Sequence, residues 1–363
     1  MSTLPLSYNP IDSNTLNEVL QRYEGVLHQQ LITDFERGLA LKTGARYAVA
    51  LNSGTAAIHM ALHVLGIGAG DVVVAPSFTY VATINPILYQ GASPVFVDCE
   101  KETWNMDPEL LELALSEETK KGSRIKAILV MHNYGMPAQM DRILQIAANY
   151  SLPVIEDAAE AVGASYQGRK AGTLGKLGIL SFNTNKVFTT YGGGALLTSD
   201  PELAKRVRFM ASQARENLPY YEHKEVGYNY LMGALNAAYG LSQLPHLEVD
   251  VTARRAIFDR YQASLPQLQF QQEPQGCYAN RWLPAVLFGK ESTRHALARQ
   301  LAEKGFETRP LWRPMHLQPI LKNYPFYGKD LSEQLFARGL CLPAGTTFTT
   351  DWQEQVIKLI RQL

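Results

Sequence analysis

The stretch Val154-Ile155-Glu156-Asp157-Ala158-Ala159-Glu160 passes within three residues from apolar to acidic. A short apolar run of this kind suits a strand buried on both faces, and it would deliver Asp157 at its carboxyl end. Similar runs lie on either side. Val72–Ala75, Pro94–Val97, Ile125–Met131, Ile179–Phe182 and Ala195–Thr198 read as strands, with Pro153–Ile155 at the heart of the quoted one. Between them, Ala56–Leu65 and Met140–Ala148 repeat apolar residues at helical spacing. Strands alternating with helices predict an α/β fold, a mostly parallel central sheet with helices on both faces. In such sheets ligands sit beyond the carboxyl ends of the strands.

Further along, residues 230–263 read as one long helix bent near Pro245. Arg281–Phe288 and Glu307–Arg309 read as strands, and Ser292–Lys304 and Trp352–Leu363 as helices. These form a smaller C-terminal α+β domain, with Gln271–Gly276 as the connection into it. The expected division is a large domain over residues 1–245, N-terminal segment included, and a small one over 246–363. A chain of 363 residues is long enough for two cores.

Composition narrows the function classes. Hydrophobic residues make up 46% and charged residues 19%, with 34 basic and 34 acidic side chains, so no basic excess points to nucleic acid or an anionic membrane. Cys99, Cys277 and Cys341 are far apart and match no disulfide framework or metal spacing, so no metal is expected and the thiols read as reduced. Met1–Pro10 lacks the basic and apolar regions of a signal peptide, and no apolar run approaches the ~20 residues of a membrane span. The expected location is cytoplasmic. No internal repeat or low-complexity segment is seen.

Three weak signals converge at predicted strand ends. Asn52-Ser53-Gly54-Thr55-Ala56-Ala57 opens a helix, where Gly54 permits close backbone approach and free N–H groups suit a phosphate. The same residues also suit an ordinary N-cap. Asp157 could hold a cationic ring nitrogen, or simply cap a helix. Lys186 ends Ser181-Phe182-Asn183-Thr184-Asn185-Lys186, ahead of Thr189-Thr190 and Gly192-Gly193-Gly194. A lone lysine is usually solvated. The glycine run has the spacing of neither a P-loop nor a dinucleotide fingerprint. Together, however, a phosphate turn, an acid and a lysine supply a phosphate anchor, a pyridinium partner and an aldehyde trap. That combination is what pyridoxal phosphate (PLP) requires.

At these residues the sequence resembles the DegT/DnrJ/EryC1/StrS family of PLP-dependent nucleotide-sugar aminotransferases. The matching stretches are Tyr47–Ala57, Pro76–Ala82, Pro94–Asp98, Glu156–Gly163, Ser181–Thr198 and Gly227–Tyr230. Within the family, Ser212–Asn217, Tyr221–His223, Asn280–Leu283, Glu307–Trp312, Met315–His316 and Leu340–Pro343 are similar to enzymes that aminate C4 of UDP-2-acetamido-2,6-dideoxy-hexos-4-ulose, on the route to UDP-N-acetylbacillosamine. The resemblance implies a type I aminotransferase fold and a homodimer with shared active sites. It implies a Schiff base on Lys186, Asp157 on the pyridine nitrogen, Tyr80 stacked on the ring, and Glu160 near the ring hydroxyl. Ser53, Gly54, Thr55 and Ser181 would hold the phosphate, and Asn229 would reach the phosphate of the partner subunit's cofactor. Leu231 stands where many relatives have Arg, and Tyr23–Asp34 lacks the usual Pro-Leu-Gly-type turn.

The implied reaction is a ping-pong transfer from L-glutamate to the 4-keto sugar, with Lys186 moving the proton. A diphosphate substrate calls for cations along its path. Arg215, Arg281 and Arg309 are the candidates, with Trp282, Trp312 and His316 as neighbours, although each of these types often serves only packing or ion pairing. A GDP-linked (perosamine-type) or dTDP-linked keto sugar is an alternative substrate. Lys186 argues against the dehydratases of the family that carry histidine there. A cofactor-dependent regulator without turnover is the non-enzyme alternative.

Overall fold

The apolar runs found in the sequence become six strands of an eight-stranded sheet in the computed structural model, which describes residues 4–7, 13–25 and 28–362. The strand order is Tyr47–Leu51, Gly194–Thr198, Leu177–Ser181, Val154–Asp157, Ile125–Met131, Val72–Pro76, Ser93–Val97 and Phe326–Tyr327. Gly194–Thr198 is antiparallel to both neighbours, and every other pairing is parallel. Both faces are covered, which is why these strands are apolar throughout rather than alternating. Val73 and Ala75 pack with helices Gly54–Val64 and Val81–Tyr89, while Val74 packs with Pro108–Lys120 and Met140–Asn149 on the other face. Each fully buried Val, Leu or Ile here contributes about 1.5–3 kcal/mol of apolar burial.

The expected single helix over 230–263 is two helices, Ala234–Gln243 and Leu247–Ser264, joined by a 3-10 turn at Leu244–His246. Pro245 removes an N–H from the ladder at that turn. Beyond it, Gln269–Phe270, Ala285–Leu287, Gly339–Cys341 and Arg309–Pro310 form a four-stranded antiparallel sheet in that order. This sheet and helices Glu291–Glu303 and Thr350–Arg361 enclose a second core around Phe258, Phe270, Val286, Leu301 and Ile357.

Several expected boundaries shift. The strand predicted from Arg281 starts at Ala285, because Arg281 adopts φ +53°, a conformation no strand continues through. The strand predicted at Glu307–Arg309 is Arg309–Pro310. The last helix spans Thr350–Arg361, and Leu363, in the expected helix, lies outside the described residues. The N-terminal stretch Met1–Pro10 is described only at residues 4–7. In Tyr23–Asp34, Tyr23 donates to Asp34 Oδ2 at 2.6 Å, and a helix has begun at His28.

Residues after 246 also pair with strands from the first 245 residues. Phe326–Tyr327 pairs in parallel with Phe96–Val97 at its edge, and Cys277–Tyr278 pairs with Ser165–Tyr166. The three cysteines are free thiols. Among the described residues, no helix is long and apolar enough to cross a membrane.

Candidate active site

Strands Tyr47–Leu51, Leu177–Ser181, Val154–Asp157 and Val72–Pro76 run in the same direction, so their carboxyl ends share one edge of the sheet. A cleft of about 590 Å³ opens there, lined among others by Ser53, Gly54, Thr55, Tyr80, Asp157, Glu160, Ser181, Lys186, Trp282 and Trp312. Residues that lie far apart in sequence meet because each follows, or lies close after, a strand end.

Helix Gly54–Val64 points its N-terminus at this cleft. Ser53 caps it, accepting the N–H of Ala56 at 3.0 Å. The first N–H groups of a helix have no acceptor inside it. Gly54 packs so tightly that an added Cβ would lie 2.9 Å from Ser181 Cβ.

Asp157 is buried. Its Oδ2 accepts from Thr83 Oγ1 at 2.9 Å, and its Oδ1 accepts from the N–H of Ala159 at 3.1 Å. Burial raises its pKa above the ordinary carboxylate range, opposed by those two donors and the charge of Lys186. The neighbouring Glu156 faces away and ties the loop below. It accepts from His132 Nε2 at 2.9 Å and from the N–H groups of Gly172, Leu174 and Gly175. Burial works against its ionised form, but these donors win and its pKa falls.

Lys186 projects from the loop that follows Ser181. The carbonyl of Asn185 is gripped by Trp282 Nε1 at 2.7 Å and Ser7 Oγ at 2.9 Å, which fixes the loop from outside. The lysine Nζ stands 4.0 Å from the centre of the Trp282 ring and 3.7 Å from Glu160 Oε1. Burial lowers its pKa, and Glu160 and Asp157 pull it back up. Glu160 Oε2 accepts the N–H of Tyr134 at 2.8 Å, and burial pushes the Glu160 pKa up to about 7. The glycine run closes the loop. Gly193 adopts φ +135°, and a Cβ there would meet Met232 and Thr190.

The model of the DegT/DnrJ/EryC1/StrS aminotransferase family matches residues 10–361. The chain belongs to this family. Among its relatives is EpsN of Bacillus subtilis (strain 168), whose name describes a pyridoxal phosphate-dependent aminotransferase; it is 44% identical over 92% of this chain and 88% of that one. A GDP-perosamine synthase of Caulobacter vibrioides is 36% identical over 92% of this chain and 90% of its own. The crystal structure of a DegT DnrJ EryC1 StrS aminotransferase from Brucella abortus superposes with a TM-score of 0.90 at 31% identity, covering 96% of this chain and 95% of that one. The protein is therefore a PLP-dependent aminotransferase of fold type I.

The cleft fits that cofactor. A lysine amine can condense with its aldehyde, a buried carboxylate suits its ring nitrogen, and a helix N-terminus packed without space for a Cβ suits its phosphate. Bound PLP supplies an electron sink for the α-carbon of an amino acid.

Not every expected residue lies in the cleft. Tyr80, half exposed, and Trp312 wall it, with ring centres 5.2 Å apart. Arg309 lies in an adjoining chamber, paired with Glu307. Arg281, expected on the substrate path, is instead buried. It bonds Glu273 and lies 3.7 Å from the Phe258 ring, because its φ of +53° turns it into the second core. His316, also expected beside the substrate, bonds Ser77 Oγ at 2.6 Å and Glu333 at 3.2 Å, and stacks on Phe326. Its ring is used in fastening the edge strand. Arg215 is exposed on a loop outside the cleft, 4.6 Å from the Tyr221 ring. Asn229 is also exposed outside the cleft, and its carbonyl accepts from Asn52 Nδ2 at 3.2 Å. Leu231 bridges Leu51.

Sequence reasoning missed Thr83, which holds Asp157, and Tyr134, which holds Glu160. Thr83 lies one residue past Pro76–Ala82, the stretch that the family resemblance had marked. For Tyr134 no signal in the sequence exists, since its φ of +56° is visible only in three dimensions.

Proposed function

We propose that the enzyme moves the amino group of L-glutamate to C4 of a UDP-linked 4-keto-6-deoxy-N-acetylhexosamine, giving a UDP-4-amino-4,6-dideoxy sugar. The observation that carries a sugar substrate is the aromatic wall beside the lysine. Tyr80, Trp312 and Trp282 follow one another at ring separations of 5.2 and 6.4 Å, next to Lys186 Nζ. Such a wall offers flat apolar faces to the C–H face of a hexose.

Each residue of the chain then has a task. Lys186 would anchor the cofactor and, when not bonded to it, offers Nζ as the group that takes and returns the proton, a task that a pKa lowered by burial favours. Asp157, held by Thr83 and the Ala159 N–H, keeps a proton on the ring nitrogen through its negative charge. Ser53, Gly54, Thr55 and Ser181 receive the phosphate. Glu160, beside Lys186 Nζ, would lie near the ring hydroxyl. Asn229, exposed outside its own cleft, reaches the cofactor phosphate of the partner in a homodimer.

A second reading is a GDP-linked 4-keto-6-deoxy sugar. It is favoured by relatives named GDP-perosamine synthase at 36% identity. The two are separated by mass spectrometry of products from a panel of UDP- and GDP-4-keto-6-deoxy sugars with L-glutamate. Amination of the UDP-N-acetyl sugar at much the higher kcat/KM is expected. Equal rates on both nucleotides would sink the assignment.

A further inference from the structure

A second chamber of about 530 Å³ adjoins the cofactor cleft and shares four of its walls, Tyr80, Asn185, Trp282 and Trp312. Its charged lining residues are Arg309 and Glu307, and they already satisfy each other. Arg309 Nε and Nη2 donate to Glu307 Oε1 at 2.9 and 2.6 Å, and Glu307 Oε2 accepts the N–H of Leu6 at 3.0 Å. The chamber is therefore neutral as a whole. Most of the remaining wall is apolar, including Leu283, Leu311 and Phe336.

One polar group on this wall lacks a partner. Trp282 donates its indole N–H to the Asn185 carbonyl, but Trp312 Nε1 is buried with no acceptor. A buried donor left unsatisfied costs about 1–3 kcal/mol. A ligand that brings a neutral acceptor and a small apolar group to this seam would relieve that cost once the ring, stacked on Tyr134 and beside Trp282, turns its N–H towards the chamber. A carboxylate would not suit it, since the arginine charge is already matched and a second anion would face Glu307.

We infer that this chamber is a subsite for the acetamido group at C2 of the sugar, with Trp312 the residue that reads it. The inference rests on the UDP-N-acetyl reading above and deepens it. The amide carbonyl takes the indole N–H, and the methyl group lies against the apolar wall. A sugar with a hydroxyl at C2 forgoes the methyl burial and reaches the donor less well. Trp312 is thus a specificity-determining residue for the acceptor half of the reaction.

The test is calorimetric titration of the PLP-loaded protein with UDP-N-acetylglucosamine and with UDP-glucose, which share the nucleotide and differ at C2. The wild-type protein is expected to bind the acetylated sugar about tenfold more tightly. Trp312→Phe keeps a ring but removes the N–H, and is expected to lose most of that preference. Equal affinities in the wild-type protein overturn the subsite whatever the variant does. An undiminished preference in Trp312→Phe overturns the role of the indole. If the preference holds and no keto sugar is aminated, the proposed reaction fails while the subsite stands.

Discussion

Glu160 Oε1 lies 3.7 Å from Lys186 Nζ, while Oε2 of the same carboxyl accepts the N–H of Tyr134 at 2.8 Å. The acid is held in place from one side and coupled to the reactive amine on the other. With its pKa at about 7 against an ordinary 4.5, it changes charge in the range where the enzyme has to work.

That gives a pH prediction with a definite sign. The folded protein keeps the Glu160 proton to about pH 7, whereas the unfolded chain releases it near pH 4.5. Its contribution to stability is therefore full below the lower value and lost as pH rises through the upper one. In cofactor-free protein, Glu160→Gln should gain melting temperature relative to wild type as pH rises through this window. In loaded protein it should flatten the pH dependence of the glutamate half-reaction around neutrality. Parallel curves for the two proteins would show that Glu160 does not titrate there.

Thr83, in the wall of the cleft, supports Asp157. Thr83→Val keeps the side-chain shape and removes the donor to Oδ2, leaving a buried carboxylate oxygen short of a partner, at a cost of about 1–3 kcal/mol. The expected result is a roughly tenfold or greater loss of PLP affinity, read by absorbance titration of the cofactor-free protein. Unchanged affinity would mean that the Ala159 N–H alone suffices.

Gly54 and Ser181 are in closer contact than side chains on both could tolerate. Gly54→Ala would place a Cβ 2.9 Å from Ser181 Cβ and either shift the helix start or spread the strand end. A lowered melting temperature and weaker PLP binding are expected. Adding Ser181→Gly should restore the melting temperature, because it removes the atom struck. No recovery in the double variant would locate the strain elsewhere.

Lys186→Ala removes both the anchor and the proton carrier. Spectrally monitored reaction with L-glutamate should slow by at least about a thousandfold. Borohydride treatment, which should fix the cofactor to wild-type protein and raise its intact mass, should leave the variant unlabelled. Turnover surviving in the variant would refute the assigned role.

Six strands of the sheet, and the meeting of Ser53, Asp157 and Lys186 at one cleft, were legible because each rests on a local pattern. Val154–Asp157 is apolar throughout because both its faces are covered, and Gly54 betrays a helix start by composition. Long-range packing erased the signal elsewhere. In sequence Arg281 looks like a substrate cation and His316 like a neighbour of the substrate, but Glu273 and Phe258 hold the first, and Ser77, Glu333 and Phe326 hold the second. Phe326–Tyr327 is a two-residue edge strand, too short for any periodicity to reveal. Trp282 and Trp312 did reach the cleft, though nothing in their neighbourhood distinguished them from core tryptophans.

The late return of Phe326–Tyr327 to the edge of the sheet bears on how the protein is made. Ser93–Val97 leaves the ribosome more than two hundred residues before the segment that covers it. Through that interval its outer N–H and C=O groups stand as an open template for another chain. The nascent enzyme therefore carries an aggregation hazard during synthesis that its finished form conceals, and slowed translation of the last third should lower the soluble yield before it lowers the specific activity of what survives.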